Sequence, residues 1–280
     1  MLGADEAWAL RRDGLLEGAF TLQDASAPPE AAVVESVTRP VLLRFAPQRP
    51  NGRAMLVFAG GGYTALVVGR EGVQVARWLA GLGYDAHVLI HRFPDAEHRP
   101  AAPLDDAREA ARAIRASGRA QQGLGVVGLS SGGHLAACLA AAYPEEWPEP
   151  PSRHPGVSTR PDRLVIGYAP VSTNAKGRTL VADKPALPPP EKQAMYDRLQ
   201  PDAQLLPDPP PAFIVYAAND PVVPVENARR LHAAWTGAGA TAELHVFADA
   251  PHGFALDTPG LPVSLWPELC EAWLRQTGFL

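Results

Sequence analysis

Short runs of β-branched and aromatic residues recur along the chain, separated by longer stretches in which apolar positions return every third or fourth residue. Met55–Phe58, Ala86–Ile90, Gly125–Leu129, Leu164–Tyr168, Phe213–Ala217 and Leu244–Phe247 read as strands. Several are apolar almost throughout, the pattern of strands covered on both faces. The three-and-four spacing predicts helices over Glu71–Leu82, Leu104–Ala116, Gly132–Tyr143, Val225–Thr236 and Leu265–Gln276. Strand and helix in alternation argue an α/β architecture with a mostly parallel, doubly wound sheet. Ahead of it, Val33–Val37 and Val41–Phe45 read as a hairpin joined through Arg39 and Pro40, an antiparallel N-terminal edge.

Proline interrupts this pattern. Many of the 30 prolines fall in Pro144–Pro161, Pro185–Pro190 and Pro207–Pro211, where neither a helix interior nor a central strand tolerates them. Residues 144–161 are expected to form a proline-rich loop. Residues 171–211, with only a weak helix over Glu191–Leu199, are expected to form a small lid or cap, since a loop this long in a compact domain is usually functional.

Composition narrows the class. At 280 residues, 46% hydrophobic and 20% charged, residues 1–280 are expected to build a single catalytic domain around one core. A net charge of −5 without basic runs gives no footprint for nucleic acid. No stretch approaches the ~18 apolar residues of a membrane span, and the N-terminus lacks the layout of a signal peptide, so a cytoplasmic protein off the membrane is expected. Cys138 and Cys270, the two cysteines, fall in apolar helix-like stretches and read as buried thiols.

Chemistry enters at Gly128-Leu129-Ser130-Ser131-Gly132, a G-x-S-x-G placed directly after an apolar strand and before an Ala-rich helix. In that context it reads as a nucleophile elbow, with Ser130 exposed on a strained turn at a helix N-terminus. Alone, a glycine-rich chain produces the pattern by accident, and a turn capped by serine is the plainer reading. Ser131 is the neighbouring rival, but the glycine spacing selects Ser130.

A hydroxyl needs a base to become a nucleophile, and the base needs an orienting carboxylate. After the strand Phe213–Ala217 comes Asn219-Asp220-Pro221; after the last strand comes Pro251-His252-Gly253. Both segments follow strand C-terminal ends, where open α/β sheets keep their sites. Asp220 and His252 are therefore the expected partners, with Asp249 the rival acid. Tetrahedral acyl-transfer intermediates also need N–H donors: the Ser131 amide is one, and the loop Phe58-Ala59-Gly60-Gly61-Gly62-Tyr63 offers others. Tyr63 either walls an acyl pocket and binds substrate or packs beneath the excursion. Arg70 and Arg92, near strand ends, read as structural or solvated cations before substrate contacts.

The segments AGGGY, EGVQVARWLAGLGYDAHVLIHRF, GLSSGGHLAA, NDPVVPVEN, AELHVF and PHGFAL resemble the esterase/lipase branch of the α/β-hydrolases that includes acetyl-xylan and related carbohydrate acetylesterases. The resemblance runs from about Ala54 to Leu274. It implies the α/β-hydrolase fold and hydrolysis of small acyl esters, acetyl first and carbohydrate esters among them, through an acyl-enzyme on Ser130. It also implies Gly61, Gly62 and Ser131 as the oxyanion donors. Hormone-sensitive-lipase-like members carry His before their three glycines, where this chain has Ala59. Such chemistry requires neither cofactor nor metal, and the expected partner is a small-molecule ester. The alternatives are a serine peptidase or amidase on the same fold and a non-catalytic binding protein that borrows it.

Overall fold

Strands whose residues are apolar on both faces need cover on both, and that requirement shapes the chain. The structure, a computed structural model, describes residues 1–10, 14–180 and 183–280, so residues 181–182 of the expected excursion lie outside the described residues. Ten strands are described: β1 Glu6–Ala9, β2 Phe20–Leu22, β3 Val34–Val37, β4 Val41–Phe45, β5 Ala54–Phe58, β6 Asp85–Ile90, β7 Leu124–Leu129, β8 Arg163–Gly167, β9 Ala212–Ala217 and β10 Ala242–Phe247. Six α-helices accompany them: α1 Gln74–Gly81, α2 Ala102–Ala116, α3 Ser131–Cys138, α4 Pro190–Arg198, α5 Glu226–Gly237 and α6 Trp266–Gln276.

The main sheet runs β1-β4-β6-β5-β7-β8-β9-β10. From β6 to β10 every neighbouring pair is parallel, while β4 lies antiparallel to both β1 and β6. Every residue of β5, β6, β7 and β9 is buried. Trp78 of α1 meets Trp266 of α6 edge to face, with ring centroids 5.5 Å apart, and the Trp78 indole N–H donates to Glu271. The α/β class and the antiparallel edge are as the hydrophobic pattern predicts. Among the described residues no helix is long and apolar enough to cross a membrane, and both cysteines are buried and unbridged.

The expected hairpin does not form. β3 pairs with β2 in a separate two-stranded sheet, and β4 inserts between β1 and β6. In VLLRF of β4 only Arg44 is less than fully buried, so this strand needs a partner on each side. Val34 and Val37 of β3 are buried while Glu35 and Ser36 face solvent, which suits a peripheral layer. The link between them is held open from below, because the Thr38 and Arg39 amides both donate to Ala19 O.

Helix α3 ends at Cys138, five residues short of the expected Tyr143. The chain beyond is captured by the returning excursion: Ala142 N donates to Gln204 O, and Leu206 N donates to Ala140 O. The excursion carries α4, whose Met195 and Tyr196 are buried. It is anchored at its start by Asn227, which accepts the Ser172 and Thr173 amides. The proline-rich loop is pinned to α2, with Arg108 and Arg112 gripping Glu149 and Glu109 accepting from Ser152.

Candidate active site

The elbow between β7 and α3 is a conformation only close packing sustains. Ser130 has φ 52° and ψ −124°, a region costly for a residue with a side chain and typical of functional turns. Its amide donates to Gly167 O at 2.9 Å, and its carbonyl accepts the Gly133 amide as α3 begins. The flanking glycines are demanded by contact: a Cβ on Gly128 would stand 2.2 Å from Gly132 O, and one on Gly132 would stand 2.1 Å from Phe58 O.

His252, on the loop after β10, places Nε2 3.0 Å from Ser130 Oγ. Its Nδ1 lies 2.7 Å from Asp220 Oδ2. A carboxylate only accepts, so Nδ1 carries the proton and Nε2 presents a lone pair to the serine hydroxyl. The second Asp220 oxygen accepts the Val222 and Val223 amides at 2.8 Å each. The Asp220 side chain is wholly buried and that of His252 is 20% exposed. Asp249 is exposed and takes the Asn219 side-chain amide, while Asn219 in turn accepts the Ala250 amide. The rival acid thus braces the histidine loop from outside.

A family profile described as the alpha/beta hydrolase fold matches residues 55–256. The chain belongs to the α/β-hydrolase family. It is 26% identical over 255 residues to the acetylxylan esterase of Xylanibacter ruminicola, covering 88% of this chain and 50% of that one, and so spans about half the length of that relative. Among solved structures it is similar to an acetyl ester-xyloside bifunctional hydrolase from Caldicellulosiruptor lactoaceticus (TM-score 0.71, 28% identity, 98% and 97% of the two chains covered). It shares its fold with an esterase from Thermogutta terrifontis (TM-score 0.71, 22% identity, 100% and 94% covered).

In this α/β-hydrolase the glycine loop divides its labour. Gly60 has both backbone groups engaged, its amide on Glu71 Oε2 at 2.7 Å and its carbonyl on the Val67 amide at 2.8 Å. Gly61 and Gly62 have φ 131° and 65°, and a Cβ on Gly61 would strike Ala65 O at 2.2 Å. The Gly62 amide donates to Ser131 Oγ at 2.9 Å, which ties the loop to the elbow. The Ser131 amide opens α3 and is one of the helix-end donors that has no intrahelical partner.

Tyr63 lies where the glycine loop meets the excursion. It is fully buried, packs edge-on against Tyr196 of the excursion at 5.7 Å, and its hydroxyl lies 2.8 Å from His134 Nδ1. His134 Nε2 donates to Leu199 O at 2.8 Å, so Nδ1 is the acceptor and the tyrosine donates. Burial pulls the His134 pKa down from 6.5 to about 4, which keeps the ring neutral. Arg92 is a structural cation, paired with Asp106. Arg70 donates to Gly253 O at 3.2 Å.

Three residues of this neighbourhood escaped sequence reasoning: His134, Glu71 and Tyr168. The Glu71 carboxylate is almost entirely buried, accepts the Tyr168 hydroxyl at 3.0 Å as well as the Gly60 amide, and has its pKa raised by burial, against which those two hydrogen bonds and the Arg70 charge favour the ionised form. A lone acid on the inward face of a helix start was its only signal.

Proposed function

We propose that this protein is a serine carboxylesterase acting through Ser130, Asp220 and His252, with residues 1–280 forming a single catalytic domain. One observation carries the reading: the hydrogen-bonded series Ser130 Oγ, His252, Asp220, at 3.0 and 2.7 Å, set on a strained elbow. Ser130 attacks the ester carbonyl while His252 Nε2 takes its proton, and Asp220 steadies the imidazolium. The Ser131 and Gly61 amides receive the developing oxyanion, while Gly62, whose amide is held on Ser131 Oγ, fastens the loop beside them. The protonated histidine gives its proton to the departing alkoxide. Water activated by the same histidine then cleaves the acyl-enzyme.

The acyl group is small and acetyl first, and the alcohol is carbohydrate. The printed names of the Xylanibacter and Caldicellulosiruptor relatives support that choice. The excursion over 171–211 acts as the cap, since its Tyr196 backs the oxyanion loop through Tyr63. Ser130→Ala is expected to abolish hydrolysis of p-nitrophenyl acetate and labelling by a fluorophosphonate probe while the protein stays folded. Wild-type turnover in that variant would end the reading. A panel of acetyl, butyryl and octanoyl esters with acetylated xylo-oligosaccharides tests the substrate, and a preference for octanoyl would refute the acetyl assignment.

A further inference from the structure

Beneath the proposed triad a single buried carboxylate joins the two loops on which the chemistry depends. Helix α1 is entered through a π-helical turn, Gly69–Val73, a distortion often found at functional sites, and Glu71 within it points into the interior. One oxygen accepts the amide of Gly60, first of the oxyanion-loop glycines, at 2.7 Å. The other accepts the Tyr168 hydroxyl at 3.0 Å, and that hydroxyl receives the Ala255 amide at 3.3 Å. Donation runs one way, from Ala255 through Tyr168 to Glu71, the pattern expected around an ionised carboxylate. Tyr168 also sets its ring edge-on to His252, centroids 5.2 Å apart. Glu71 Oε1 lies 3.7 Å from where a Cβ on Gly253 would stand.

We propose that Glu71 is a positioning residue that fixes the glycine loop and the His252 loop in one register and, as a buried anion, favours the imidazolium formed at His252. The proposal rests on the triad reading. Asp220 meets the histidine from the loop after β9, Tyr168 sets its ring edge-on to it, Glu71 Oε1 lies beside Gly253, and Arg70 reaches the Gly253 carbonyl. A carboxylate in a dry site acts strongly on a charge that appears beside it, and a loop held before reaction needs no reorganisation during it.

The test compares wild type, Glu71→Gln, Tyr168→Phe and Ser130→Ala on p-nitrophenyl acetate from pH 5 to 9. Gln retains an acceptor for Gly60 and removes the charge. We expect kcat to fall about tenfold to hundredfold with KM nearly constant, and the acid limb of kcat/KM to move to lower pH, because an anion beside the reacting imidazole is lost. Tyr168→Phe keeps the charge and should lower kcat several-fold with the acid limb in place. A wild-type kcat in Glu71→Gln, or a loss of kcat with an unmoved limb, overturns the proposal. Should Glu71→Gln fail to fold, a wild-type kcat in Tyr168→Phe overturns it instead. Ser130→Ala separates the two readings: turnover there removes the triad itself, whereas an inactive Ser130→Ala beside an unaffected Glu71→Gln removes only the role of Glu71.

Discussion

The Ser131 hydroxyl accepts the Gly62 amide at 2.9 Å, so the residue after the proposed nucleophile fastens the elbow to the glycine loop. Its own amide remains at the start of α3, among the helix-end donors that have no intrahelical partner. Ser131→Ala keeps that amide and loses the fastening. We expect kcat to fall about fivefold to tenfold, near 1 kcal/mol for one neutral hydrogen bond, with the melting temperature lowered by only about 2–4 °C. Raised turnover would mean that the hydroxyl competes for a donor instead of ordering it.

Asp220 and Asp249 both stand near His252, and their hydrogen bonds assign them different work. Asp220 holds Nδ1, while Asp249 takes only the Asn219 amide at the surface. Asp220→Asn should lower kcat by roughly 10³ to 10⁴, as expected when the imidazole loses its tautomer. Asp249→Asn should stay within about threefold, because exposed polar contacts contribute little. A larger effect at Asp249 would reverse the assignment. Steady-state kinetics on one small ester decide it.

Glycines that meet backbone differ from glycines that merely bend. A Cβ on Gly132 would lie 2.1 Å from the Phe58 carbonyl, whereas one on Gly62 meets nothing within 4 Å and suffers only from φ 65°. Gly62→Ala is expected to lose about 1 kcal/mol of stability. Gly132→Ala is expected to lose about 3 kcal/mol or more, since neither element can withdraw without opening the sheet. Urea denaturation of the two variants measures the difference, and equal losses would contradict the packing argument.

Ser130, Asp220 and His252 were legible because each sits beside strong local punctuation, a glycine elbow or a loop after an apolar strand. Glu71 was not, since its position depends on a π-turn and on Tyr168, which is distant in sequence. The hairpin expected of β4 gives way to pairing with β6 and β1, and β1 is the short segment EAWA, whose pattern hardly announces a strand. The length of α3 was hidden for a related reason: the Ala-rich sequence favours continuation, and only the excursion's backbone, arriving from Gln204, ends it. Local chemistry was readable, and long-range partnership was not.

His134 supplies a pH dependence whose sign follows from burial. Its pKa is about 4 in the folded protein, below the ordinary value of about 6.5 that it regains on unfolding. Protons therefore bind the unfolded chain more readily. The neutral ring's contribution is complete above about pH 6.5 and is lost progressively as pH falls toward 4, by roughly 3 kcal/mol across the window. His87 and His91, also buried with lowered pKa values, add to the same slope. His134→Gln keeps polar groups toward Tyr63 and Leu199 but cannot titrate. It should be less stable than wild type at pH 7.5 and show a shallower decline in urea midpoint between pH 6.5 and 4.5. A variant curve parallel to wild type would show that His134 is not the group whose protonation unfolds this packing beneath the excursion.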